Sequence, residues 1–151
     1  MCILPVKSYD QGMEREDLGA LFARVTRRLI DAERPLLRAH ELSMWGYIVL
    51  SRLARRPVGT QLALAQAIGY DKTRLIALLD ELEGDGLIIR ERDPADRRAH
   101  TVRLTPAGEA RHAAAQADIR AMEVELLGDL SATERRCLWA VLPRLAEPRT
   151  Q

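Results

Sequence analysis

"TQLALAQAIGYDKTRLIALLDELEGDG", Thr60 to Gly86, is the stretch on which the fold turns. Thr60 is a residue type that caps helices through its side-chain oxygen, and "QLALAQAI" after it reads as a short helix stopped by Gly69. Asp71 then caps a second helix, "KTRLIALLDELE", whose Leu75, Leu78, Leu79 and Leu82 recur on one face and predict a buried stripe. "GDG" ends it. Two helices joined by so short a glycine-containing turn are the sequence form of a helix-turn-helix.

Downstream the period changes. "LIIRER" (87–92) is β-prone, "DPADRRAH" is turn-like, and "TVRLT" (101–105) alternates Thr101 and Arg103 against Val102 and Leu104. A two-stranded hairpin directly after a helix-turn-helix is a wing. Thr105 and Pro106 supply an N-cap and a first-turn proline for a helix to about Leu127, and "SATE" (131–134) is a capping box that opens a last helix to about Leu145.

Upstream, Ser43 caps "MWGYIVLSRLAR" (44–55), which "RRPVG" ends. From Glu14 to Arg38, apolar residues at Leu18, Leu21, Phe22, Val25, Leu29, Leu36 and Leu37 mark an amphipathic helix that Pro35 is expected to bend or divide. Residues 1–12 lack periodicity and are expected to form a loose arm. The fold class is therefore mainly α with a small β-hairpin wing. We expect one domain over 1–151, with a winged helix-turn-helix core at 43–106.

A chain of 151 residues with 47% hydrophobic composition can bury a core, and with aromatics at 4% that core must be largely aliphatic. The net charge of +1 neither requires nor excludes a polyanion, so local clustering of charge decides. Cys2 and Cys137 match neither a disulfide framework nor a metal cluster, and Cys137 reads as plain core. No stretch approaches a membrane span and "MCILPV" is too short for a signal peptide, so a cytosolic protein is expected.

A recognition helix meets base edges in the major groove with its N-terminal residues. Here the inward leucine stripe leaves Lys72, Thr73, Ile76 and Ala77 facing out, with Arg74 on a flank. Lys72 and Arg74 can donate to guanine or phosphate, Thr73 to either, and Ile76 offers an apolar contact for a thymine methyl. A solvated helix start is the plain alternative. The wing weighs against it. Arg90, Arg92, Arg97, Arg98 and Arg103 stand there against Glu91, Asp93 and Asp96, and a projecting hairpin with arginines at its tip can reach the adjacent minor groove. Asp96 is close enough in sequence to orient Arg98 by a charge-assisted hydrogen bond.

The segments "LSMWGYIVLSRLAR" and "TQLALAQAIGYDKTRLIALLDELEGDGLIIRERDPADRRAHTVRLTPAGEA", with their flanking helices, resemble the MarR family of transcriptional regulators. The most specific element is Asp-x-Arg followed by five residues and Leu-Thr, met by Asp96, Arg98, Leu104 and Thr105. The likeness runs from about Leu18 to Leu145 and is strongest from Leu42 to Ala110. It implies a homodimer whose first and last helices (14–38 and 107–146) intertwine. It also implies a pseudo-palindromic operator, commonly bound as a repressor and released by a small anionic or phenolic effector. It places Arg98 in the minor groove with Asp96 positioning it and Arg97 beside it. Lys72, Thr73 and Arg74 go to the major groove, and Thr60 and Gln61 near the backbone. Two positions depart from the family pattern: Ala77, where many members carry arginine, and Leu62, in a usually polar slot. The redox branch places its reactive cysteine in the first long helix, where this chain has none.

Such a family's effector pocket would draw on His40, Met44, Trp45 and Tyr47, with Arg15 from the first helix; each also reads as core or surface. His112 has no visible partner in the sequence. No nucleophile, metal-ligand or phosphate-loop pattern appears, so neither an enzyme nor a cofactor is expected. A winged-helix dimer that serves as a protein-interaction module is the alternative function, suggested by Ala77, Leu62 and the near-neutral charge.

Overall fold

The computed structural model describes residues 16–55, 60–92 and 100–147, the side chains of Arg92 and His100 excepted. Six helices and one hairpin follow in the order α1 (Leu18–Ala39), α2 (Met44–Arg55), α3 (Gln61–Ile68), α4 (Lys72–Gly84), β1 (Ile88–Arg92), β2 (His100–Leu104), α5 (Pro106–Leu126) and α6 (Ala132–Ala146). Among the described residues no helix is long and apolar enough to cross a membrane. Contacts divide the chain into one unit of residues 30–120 and another of the residues up to 29 together with those from 121 onward.

In the first of these units, local chemistry sets each boundary. Ser43 Oγ accepts from the Gly46 N–H at 3.0 Å and starts α2. Thr60 Oγ1 accepts from Ala63 N at 3.1 Å, and Asp71 Oδ1 accepts from Arg74 N at 2.9 Å. Gly69 closes α3 in the left-handed region at φ 64, which glycine adopts without a Cβ clash. Only Gly69, Tyr70 and Asp71 separate α3 from α4.

Leu75, Leu78, Leu79 and Leu82 of α4 are 0–8% exposed, as the stripe predicts, and join Val49, Leu50, Leu53, Leu64 and Val102 in one core. Each such leucine contributes about 1.5–3 kcal/mol by leaving water. The hairpin is antiparallel, with Ile88 opposite Leu104 and Arg90 opposite Val102. Thr105 fastens its base, donating from Oγ1 to Gly86 O at 2.6 Å while accepting from Gly108 N at 3.0 Å.

Pro35 sits inside α1 without dividing it. The helix begins at Leu18, whereas Glu14 and Arg15, expected in it, lie outside the described residues. In the second unit Ser131 and Glu134 form the expected capping box of α6. Its carboxyl is held below the usual range by the Ser131 hydroxyl and backbone N–H. Cys137 is buried on α6, as its apolar setting in the sequence suggests. This unit carries an apolar groove of about 470 Å³ lined by Leu18, Phe22, Val25, Leu126, Trp139 and Leu145 among others.

Among the described glycines, Gly108 leaves the least room for a side chain. A Cβ there would lie 1.9 Å from the Leu87 carbonyl oxygen, a backbone atom that cannot swing away. At Gly84, in the last turn of α4, a Cβ would meet no atom within 4 Å. Gly108→Ala should destabilise by about 1–3 kcal/mol or more through overpacking, while Gly84→Ala should stabilise by about 0.4–1 kcal/mol. Urea denaturation of both variants checks this, and equal effects would contradict the close approach.

Candidate nucleic-acid interface

Burial of the leucine stripe decides which way α4 faces. Lys72, Thr73, Arg74, Ile76 and Ala77 are all exposed, Ile76 at 40%. The Asp71 carboxylate is occupied by the Arg74 backbone N–H, so it acts as a cap and leaves the Arg74 side chain to the solvent. The helix start thus presents two cations, a hydroxyl and a branched apolar side chain. That combination can donate to guanine or phosphate and touch a thymine methyl. Thr60 and Gln61 lie at the start of α3, both half-buried. Thr60 Oγ1 is first of all the cap of α3, and its hydroxyl still carries one proton to donate.

Trp45 braces the turn between the two helices. Its ring lies 4.2 Å from that of Tyr70, tilted by 33°. Tyr70 was not singled out from the sequence, where a lone aromatic in a turn gives no pattern. Leu62 is exposed at 50%, as its slot on α3 suggests.

The wing differs from a simple reading of its charge. Arg90 is not turned outward: its guanidinium meets Glu83 and Asp80 of α4, with 20% of the side chain exposed. The Glu83 hydrogen bond leads in holding its pKa above the usual arginine value. Arg103 pairs with Glu91 across the hairpin at 2.7 Å. That bond raises the arginine and lowers the Glu91 carboxyl, but both groups are exposed and screening leaves the pair little weight in stability. Strand parity could have warned of Arg90, since it shares a face with the buried Ile88. The tip residues Asp96, Arg97 and Arg98 lie outside the described residues.

The effector candidates do not converge on one point. His40 Nε2 meets Asp118 Oδ2 at 2.7 Å, Trp45 goes to Tyr70, and Tyr47 stacks on His112 with ring centroids 5.5 Å apart. Met44 lines a groove of about 230 Å³ with Ile30, Leu37, Leu42, Arg34 and Arg38. Arg15 lies outside the described residues. His112, partnerless in the sequence, is 7% exposed and shares a 3.0 Å hydrogen bond with Ser51 Oγ of α2. Among the described residues no group of three or more His, Cys, Asp or Glu is placed to hold a metal ion.

Two helices across a three-residue turn, followed by a hairpin, define a winged helix-turn-helix protein. The chain belongs to the MarR family of transcriptional regulators, whose family model matches residues 42–100. The transcriptional repressor CouR, in a structure bound to a 23-mer DNA duplex, is 31% identical, with a TM-score of 0.77 over 87% of this chain and 93% of that one. CouR from Rhodococcus jostii RHA1 bound to p-coumaroyl-CoA is similar at 28% identity and a TM-score of 0.76, covering 90% and 96% of the two chains. A MarR-family transcriptional regulator from Rhodococcus sp. RHA1 is similar at 26% identity and a TM-score of 0.79, covering 92% and 100%.

His112 should give the stability of the winged unit a pH dependence. Burial first, then Arg120 and Arg55, push its pKa below the ordinary 6.5. The unfolded chain therefore takes up the proton before the folded one does. The neutral ring's contribution is complete above about 6.5 and is lost as pH falls through the lower folded value. Thermal midpoints should fall more between pH 7 and pH 5 (about the window set by that shift) for the native chain than for His112→Gln. Parallel pH profiles would contradict this.

Proposed function

We propose that the protein is a ligand-responsive repressor that binds a pseudo-palindromic DNA operator as a homodimer. The observation that carries the reading is the outward face at the start of α4, where Lys72, Thr73, Arg74 and Ile76 stand together on a helix anchored by four buried leucines. In the proposed complex this face enters the major groove, Thr60 and Gln61 approach the backbone, and Arg98, oriented by Asp96 and flanked by Arg97, enters the minor groove. The DNA-bound structure of CouR, 31% identical to this chain, supports the assignment.

Homodimerisation is supported by the apolar side chains that the second unit leaves to solvent, among them Leu18 (61% exposed), Trp139 (54%) and Leu145 (62%). Contiguous apolar surface of this kind is rarely left uncovered in a soluble protein. We assign residues 14–38 and 107–146 to dimerisation and 43–106 to DNA. The effector is a small anionic or phenolic molecule held by some of His40, Met44, Trp45, Tyr47 and Arg15. The Met44 groove, apolar but lined also by Arg34 and Arg38, and the p-coumaroyl-CoA bound by CouR support that chemistry.

Fluorescence anisotropy with a labelled duplex from the region upstream of the protein's own gene tests the reading. Affinity should fall with salt at a log–log slope of roughly 0.9 per neutralised phosphate. Lys72→Ala or Arg74→Ala should shift preference at particular base pairs by about 1–3 kcal/mol, and Arg98→Ala should weaken binding broadly, most at A·T-rich flanks with a narrow minor groove. Equal binding to unrelated DNA, or no binding, would overturn sequence-specific repression.

A further inference from the structure

The arginines of the wing do not share one role. Pairing of Arg90 with Val102 places it on the hairpin face that also carries Ile88, while Glu91 and Arg103 lie on the other. β1 packs on α4, so the guanidinium lands beside the last turns of that helix. There Nε donates to Glu83 Oε2 at 2.8 Å, and Nη2 reaches both Glu83 Oε2 at 2.5 Å and Asp80 Oδ1 at 2.6 Å. The backbone N–H of Arg90 donates to Glu83 Oε1 at 3.1 Å. A single carboxylate thus grips the main chain and the side chain of the same strand residue.

This grip has a mechanical consequence. A two-stranded hairpin has little stability of its own and twists readily. Its base is fixed by the burial of Leu87 and Ile88 and by the Thr105 hydroxyl on Gly86 O, and Val102 holds β2 against α2 and α3. Those apolar attachments are non-directional and leave the tilt of β1 against α4 weakly defined. Arg90, directly opposite Val102, adds the directional polar tie between β1 and α4. We propose that Arg90 is a positioning residue that, through Glu83 and Asp80, fixes the angle between wing and recognition helix and so the spacing of the two elements that address DNA. The inference rests on the DNA-binding reading above. A phosphate contact by Arg90 would require the fork to leave two carboxylates.

The two roles predict opposite signs for Glu83→Gln and different salt slopes for Arg90→Met. Arg90→Met keeps the aliphatic stem and removes the fork; Glu83→Gln removes a negative charge and loosens the grip. Arg90→Lys keeps the charge but loses the planar fork. If Arg90 positions, all three weaken binding to the upstream duplex by roughly tenfold, the scale of coupling between packed neighbours. The slope of log affinity against log salt then stays at the native value, and the double swap Glu83→Arg/Arg90→Glu restores part of the loss. If Arg90 contacts phosphate, Arg90→Met flattens the slope by about 0.9, Arg90→Lys keeps most affinity, and Glu83→Gln binds as well as the native chain or better. Those results overturn the proposal.

Amide hydrogen exchange of the free protein decides the clamp without DNA. Exchange over Ile88–Arg92 and His100–Leu104 should accelerate in Arg90→Met and Glu83→Gln while the core of α2 keeps its protection, and unchanged exchange overturns the clamp. A native dimer that binds no DNA fails the functional reading instead, and leaves the exchange result to judge the clamp.

Discussion

The burial of one face of α4 is the constraint from which the winged unit follows. Leu75, Leu78, Leu79 and Leu82 can leave water only if the helix turns them to α2, α3 and the root of the hairpin. Together they contribute several kcal/mol, on the order of a small domain's net stability. No surface interaction of Lys72 or Arg74 could outweigh that. The direction of the polar face is thus a by-product of packing, and the residues on it were free to take up whatever chemistry the groove of a duplex requires.

The same helix carries the wing. Its far end holds Asp80 and Glu83, which take the Arg90 guanidinium, and its terminating turn leads through Gly86, at φ 71, into Leu87 and β1. Gly108 then lets α5 start against the Leu87 carbonyl, at a distance no side chain would permit. Recognition helix, wing and α5 therefore meet within a few residues. The charges at this junction are internal: Arg90 is neutralised by α4, and Arg103 by Glu91. A count of arginines overstates what the wing offers to DNA, because two of the five point to protein carboxylates.

Much of this was legible in the sequence because the signals were local. Thr60, Gly69 and Asp71 mark the ends of α3 and the start of α4, and Ser43 and the Ser131–Glu134 box mark α2 and α6, through hydrogen bonds spanning three or four residues. What escaped was long-range. His112 lies in an alanine-rich helix whose faces differ little in hydrophobicity, so nothing announced that it would be buried against Ser51, 61 residues away in the chain. In the sequence Arg90 is only one of five wing arginines; its inward parity depends on a pairing with a strand ten or more residues on. Pro35 stays within α1, since a helix loses one donor at a proline and packing can compensate for it.

In the proposed complex α4 reads the major groove from each half of a symmetric dimer. Hydroxyl-radical footprinting with methylation interference on the upstream duplex tests this. Two protected patches related by a dyad should appear, their centres about one helical turn or a multiple of it apart, with guanine N7 methylation inside each patch blocking binding. Uniform protection with no interference at N7, or a single unpaired patch, would contradict it.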